Sequence, residues 1–186
     1  MPRPVMAPDS PWTVEPLTPV IARHNVAEAF VELREPVCRY LLALGLGRPE
    51  AEEVAQETFL RLCQHLDAGG PQANVRGWVF RVAHNLARDE YRRRQRRQIQ
   101  PLDAGEGSAH SGADPEQQAM ARQRSLRLQA ALSRLPVRQQ ESLHLRAEGL
   151  RYREIAEVLG AGVSTVAEWV QKGLKTLVKE CDENQR

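Results

Sequence analysis

Apolar residues recur at steps of three and four along most of this chain, and nowhere do they alternate with polar ones over the length of a strand. Val26, Phe30, Leu33, Val37, Leu41 and Leu44 form the first series, the pattern of one face of an amphipathic helix. Pro36 falls inside it. A kink or break near Glu35 is therefore expected, because proline removes a helical N–H and crowds the preceding turn. Gly45 and Gly47 then stop the helix. A second helix is expected from after Pro49 to about Leu66, burying Ala51, Val54, Ala55, Thr58, Leu62 and Leu66. Glu53, Gln56, Glu57, Leu60 and Arg61 lie across from that stripe. Asp67 to Asn74, with Gly69, Gly70 and Pro71, reads as a loop. A third helix follows from Val75 to Arg97, turning Trp78, Val82 and Leu86 inward with Ala83 beside them.

The pattern vanishes at Gln98 and returns near Pro115. Glycine, serine, proline and acidic residues fill the gap, a composition that cannot supply a core and predicts a flexible linker. Beyond it, helices are expected over Glu116 to Leu135, Val137 to Glu148, Arg151 to Leu159, and Ser164 to Lys179. The last two are joined by Gly160-Ala161-Gly162, which is the signature of a helix-turn-helix. Ile155, Ala156 and Leu159 brace its second helix, Val166 and Val170 face back toward them, and Ser164 or Gly162 caps the start. The fold class is thus all-α, two small helical domains joined by a linker. The expected bounds are a disordered leader at 1–24, a first domain at 25–97, the linker at 98–117, a second domain at 118–180 and a tail at 181–186. The leader carries six prolines and no apolar run, so it reads as neither a signal nor a transit peptide.

Charge adds a second pattern. The net charge of +2 conceals an acidic stretch over 48–67, with five acidic and two basic side chains. A basic stretch over 76–97 follows, with eight arginines and two acidic side chains. Residues 98–121 are acidic, and the remainder is basic again. Arg81, Asn85, Arg88 and Arg92 share one helical face, where arginine can neutralise phosphates and asparagine can bond a base edge or sugar. A solvated basic helix end, or a membrane-surface or calmodulin-type target, is the rival reading of that face. In a helix-turn-helix the second helix lies in the major groove, leaving Thr165, Glu168, Trp169, Lys172 and Lys175 as outer or flanking residues. An ordinary helical hairpin is the alternative. The acidic helix suits a protein partner better than nucleic acid, and solvent nearly as well.

Other classes are disfavoured. Five scattered histidines and three distant cysteines show no metal-ligand spacing and no disulfide framework. There is no phosphate-binding glycine loop or nucleophile elbow, so no enzyme, cofactor or metal is expected. With no long uncharged apolar run, no membrane insertion is expected, and a cytoplasmic location fits the cysteine usage.

The order of these parts resembles a known family. Residues 51–61 (AEEVAQETFLR) resemble the core-binding helix of bacterial extracytoplasmic-function (ECF) sigma factors. Residues 75–89 (VRGWVFRVAHNLARD), ending in Tyr91, Arg92 and Arg93, resemble that family's promoter-melting and −10-recognition helix. Leu135-Pro136 and residues 149–160 (GLRYREIAEVLG) resemble the entry to its −35-reading helix-turn-helix. The resemblance implies a non-catalytic factor that lends promoter specificity to RNA polymerase core. Glu53, Gln56, Glu57, Leu60 and Arg61 would dock on the clamp helices of the largest subunit. Asn74, Arg76, Arg81, Asn85, Arg88, Arg92 and Arg93 would engage the −10 region. Arg151, Arg153, Ser164, Thr165, Glu168, Trp169, Lys172 and Lys175 would engage the −35 region, with the second domain seated on the flap of the second-largest subunit. An anti-sigma factor joins the set of partners to test. The recognition helix departs from the commonest pattern: Ala167, Trp169 and Leu174 stand where relatives often carry basic residues, and Lys172 keeps its charge. A helix-turn-helix regulator that is not a sigma subunit, or a protein that binds polymerase without reading DNA, are the rivals.

Overall fold

The computed structural model describes residues 18–70, 73–97 and 115–183. The described residues form seven α-helices and no strand: α1 (Thr18–Ala43), α2 (Arg48–Asp67), α3 (Val75–Arg97), α4 (Pro115–Ser133), α5 (Val137–Ala147), α6 (Tyr152–Leu159) and α7 (Val163–Glu183). The short α6 and the long α7 flank the turn of the helix-turn-helix. Residues 1–17 of the expected leader, the linker residues 98–114, Pro71 and Gln72 of the loop, and 184–186 of the tail lie outside the described residues.

At the start of the chain the first helix begins earlier than expected, and of the kink or break expected at Pro36 the break is excluded. Helix α1 begins at Thr18, inside the expected leader, and it runs through Pro36 without a break. Ala29, Leu33, Val37, Tyr40 and Leu41 form one continuous buried stripe on both sides of the proline. Large apolar side chains such as these contribute about 1.5–3 kcal/mol each when fully buried, so together they outweigh a proline cost of roughly 3 kcal/mol. Phe30 lies at the edge of that stripe, 39% exposed, with its ring edge-on to Phe59 at 5.0 Å.

Helix α2 buries every residue of its expected stripe and Phe59 as well. In α3 the inward face is rotated from the expected one. Val79, Phe80, Ala83, His84 and Ala87 are buried, whereas Trp78, Val82 and Leu86 are half-buried. The reason is that α3 has three neighbours, α1, α2 and α6, and a helix packed on several sides buries a wider stripe than one facing a single layer.

The second half packs α5, α6 and α7 together, with α4 against α7. Helix α4 starts at Pro115, within the expected linker, and ends at Ser133, before Leu135. Gly160 terminates α6 in the left-handed region (φ 64°, ψ 42°), its N–H donating to the Ala156 carbonyl, a conformation that glycine adopts without a Cβ penalty. Gly162, not Ser164, stands at the start of α7: its carbonyl accepts the Val166 N–H at 3.0 Å, and Ser164 is already inside the first turn. Ile155, Ala156, Val158 and Leu159 meet Val166 and Val170 in the interior. Gly173 is buried too, and a Cβ there would lie 2.8 Å from Leu143 Cδ1, so glycine sets how closely α7 approaches α5.

Candidate nucleic-acid interface

The basic face of α3 is built by the burial of its opposite side. With Val79, Phe80, Ala83 and Ala87 inside, Arg81, Asn85, Arg88 and Arg92 are all exposed. Arg81, Asn85 and Arg88 make no side-chain hydrogen bond or ion pair among the described residues. Arg92 and Arg93 reach Asp89 and Glu90 only at 3.5 Å, and such exposed pairs hold a side chain weakly. Arg94 is different: its Nη2 sits 2.7 Å from Glu50 Oε1, both groups mostly covered. It ties the end of α3 to the start of α2 and is withdrawn from the basic face.

The two residues expected before Arg81 are committed to local structure. Asn74 caps α3, its Oδ1 accepting the Gly77 N–H at 2.9 Å and its carbonyl accepting the Trp78 N–H at 3.0 Å. Arg76 is half-buried and donates from Nη1 to the Glu148 carbonyl at 2.8 Å. Below the loop, the rings of His65 and Trp78 stack at 4.7 Å, so Trp78 spends much of its surface on packing.

On α2, Glu53 and Gln56 border the acidic face, and Leu60 stands 60% exposed beside them. Glu57 is half-buried and paired with Arg61 at 2.7 Å, one helical turn apart. Glu53, Glu57 and Arg61 line a shallow groove between α2 and α3 whose far wall includes Leu86, Asp89 and Glu90. An isolated apolar Leu60 among carboxylates is a surface suited to a protein partner, since carboxylates repel a polyanion.

On α7, Ser164, Thr165, Glu168, Lys172 and Lys175 extend along the outer side, opposite the buried Val166 and Val170. Lys172 Nζ lies 3.4 Å from Glu168 Oε2. Trp169 packs against the core, so much of its ring serves packing and it departs from the expected outward role. Arg151 precedes α6, where its N–H donates to Glu154 Oε2 at 2.6 Å. Arg153 is exposed, 3.8 Å from Glu157. The guanidinium of Arg146 lies over the Tyr152 ring at 5.6 Å.

Comparison with known proteins meets this geometry at both halves. The family described as Sigma-70 region 2 matches residues 29–97, and Sigma-70, region 4 matches residues 125–177. The ECF RNA polymerase sigma factor EcfG of Rhodopseudomonas palustris is 31% identical over 163 residues, covering 87% of this chain and 85% of that protein. The RNA polymerase sigma factor CnrH of Cupriavidus metallidurans is 32% identical over 155 residues, covering 79% of this chain and 76% of that protein. The chain belongs to the ECF group of RNA polymerase sigma factors. Two solved structures share the fold of this sigma factor. CnrH in complex with the cytosolic domain of CnrY has a TM-score of 0.62 at 21% identity, covering 89% of this chain and 97% of that one. The sigma factor RpoE of Bartonella quintana, solved with the anti-sigma factor NepR, has a TM-score of 0.67 at 18% identity, covering 85% and 97%. Among the described residues, no helix of this sigma factor is long and apolar enough to cross a membrane, and no cluster of three or more His, Cys, Asp or Glu side chains is placed to hold a metal.

Sequence reasoning missed the residues that join the two halves. Arg39 of α1 and Glu148 at the end of α5 are 109 positions apart and form a two-point ion pair. No local pattern marks either residue, because periodicity reports which face is buried and not which distant helix covers it.

Proposed function

We propose that this chain directs promoter-specific transcription initiation by binding RNA polymerase core and contacting promoter DNA through α3 and α7. The observation that carries the reading is the exposed run of Arg81, Asn85 and Arg88 on α3, unpaired among the described residues and backed by a buried stripe. A rigid helix with unpaired arginines at steps of three and four tracks a phosphate backbone, and Asn85 among them offers hydrogen bonds to a base or sugar. Such a track beside the loop that precedes α3 suits an opened single strand at the −10 element, where bases leave the stack. The outer face of α7 suits the major groove of duplex DNA at the −35 element.

Polymerase docking is assigned to α2, with Leu60 as the apolar anchor and Glu53, Gln56, Glu57 and Arg61 around it, on the clamp helices of the largest subunit. The second half would rest on the flap of the second-largest subunit. The action is that of an initiation factor without catalysis of its own, in the cytoplasm where the polymerase works. An anti-sigma protein is a further partner by extension from RpoE, whose structure carries the anti-sigma factor NepR.

The test is run-off transcription from genomic fragments with purified core polymerase. Adding the chain should produce discrete new start sites, and Glu57→Lys with Leu60→Ala should weaken core association about tenfold or more, as for interface anchors. No start site beyond those of core alone would sink the proposal.

A further inference from the structure

The loop that leads into α3 is fastened at both ends to one pair of rings. His65, in the last turn of α2, stacks on Trp78, in the first turn of α3, with ring centroids 4.7 Å apart and planes at 21°. At the loop's start, the Gly70 N–H donates to the His65 carbonyl at 2.9 Å. Gly70 also lies so close to the imidazole that a Cβ there would overlap its Nδ1, Cε1 and Nε2 edge. At the loop's end, the Asn74 carbonyl accepts the Trp78 N–H at 3.0 Å, and Asn74 Oδ1 accepts the Gly77 N–H at 2.9 Å. Only residues 71–73 separate the two fastened points.

Packing alone does not account for a histidine here. His65 Nε2 is buried and has no hydrogen-bond partner among the described residues. Such a nitrogen carries an uncompensated desolvation cost, so an apolar side chain would fill the space more favourably. The imidazole supplies geometry instead: a flat face for the indole and a thin edge for Gly70. A loop with glycines at 69 and 70 has much freedom to lose on binding, and a seat that orders it beforehand removes part of that loss. The seat also stands at the head of the basic face. Trp78 precedes Arg81 by three residues and Asn85 by seven, spacings that share one side of a helix.

We propose that His65 is a positioning residue for −10 recognition, holding the loop ends on Trp78 so that the loop meets the opened strand in one fixed arrangement. It acts on base preference through the loop, with no contact of its own to DNA. The role in recognition rests on the sigma-factor reading above; the seat itself rests on the geometry alone.

Amide hydrogen exchange of the full chain reads the seat. In wild type the Gly70, Gly77 and Trp78 amides should be protected. His65→Ala should speed their exchange about tenfold, and His65→Phe, which keeps a flat ring, should not. Gly70→Ala crowds the ring from the loop side and should speed exchange at Gly77 and Trp78; it decides the matter if His65→Ala does not fold. Unchanged exchange at the seat, or an equal rise throughout α5 and α7, overturns it. Base preference is read with the polymerase complex on fork templates whose single-stranded −10 bases are randomised. His65→Ala should lower selectivity at the most discriminating position about tenfold, with core affinity and salt slope as in wild type. His65→Phe should restore the selectivity. Unchanged selectivity in His65→Ala, no restoration by phenylalanine, or matching losses of selectivity, core affinity and salt slope overturns the positioning role. If wild type selects no sequence, the sigma-factor reading fails, and the seat is judged by exchange alone.

Discussion

Tyr40 and His84 are among the largest fully buried side chains, and their polar atoms meet at 2.8 Å between Oη and Nδ1. Burial, with Arg88 and Arg138 adding repulsion, lowers the His84 pKa to about 4, while burial raises that of the Tyr40 phenol. Both groups are therefore neutral at physiological pH. The unfolded chain takes up the His84 proton near the ordinary value of 6.5, and the folded chain only near 4. Stability should consequently fall as pH drops from about 6.5 toward about 4, by up to roughly 3 kcal/mol from this group. His144, also lowered by burial, acts in the same direction. Glu141, raised by burial, acts oppositely at and just above pH 4.5, since its folded form holds the proton more tightly. Urea melts at about pH 7.5, 6 and 5 should show the loss, and His84→Gln should flatten it; an equal slope in the variant would remove His84 as the cause. Tyr40→Phe should cost about 1–2 kcal/mol at neutral pH, because the imidazole then keeps a buried nitrogen without a partner.

Helix α3 combines structural and functional demands on opposite faces. Replacing Arg81 or Arg88 with alanine should leave the thermal midpoint within a few degrees and lower the salt slope of promoter binding by about one unit. Equal slopes for wild type and both variants, measured across several salt concentrations with the polymerase complex, would show that α3 does not track phosphates. Asn74 is a mixed case. Its cap makes Asn74→Ala cost about 1 kcal/mol of stability, so any DNA effect of that change must be read against the melt. In the helix-turn-helix half, Gly173→Val should destabilise by about 1–3 kcal/mol, through crowding of Leu143 and Gln139 across the α5–α7 contact. An unchanged melt would mean that α7 can shift outward at little cost.

Across the whole molecule, the buried residues form one cluster that includes Leu33, Phe80 and Val79 from the first half and Leu145, Leu150 and Ile155 from the second. A shared core predicts a single calorimetric transition for the full chain. If Glu148 holds the halves together, Glu148→Ala should broaden that transition or divide it in two. Two transitions in the wild type would show that the halves already unfold independently. The Gly149 turn sets a backbone demand at this seam. Its φ of +89° leaves open space around the position a Cβ would take, with Arg76 Nη1 3.9 Å away. A side chain there would still cost about 1–2 kcal/mol through its left-handed backbone.

By itself, the amino-acid order determined the helical class, the start and end of α3, the stripe of α2 and the helix-turn-helix, because these depend on neighbours within one or two turns. It also marked the arginines of α3 and the outer residues of α7, since a helix that buries one face must expose the other. Tertiary structure decided what spacing cannot express. It kept α1 continuous through Pro36 by packing on both sides of it, and it rotated the inward face of α3 toward three partners. Asn74 became a cap, Trp169 became largely a packing residue, and Arg94 was drawn to Glu50. Arg39, Arg76 and Glu148 were brought together from three separate parts of the chain. The physical reason is one of range: helical periodicity is a local steric rule, whereas ion pairs and shared cores form between groups whose separation along the chain carries no signal.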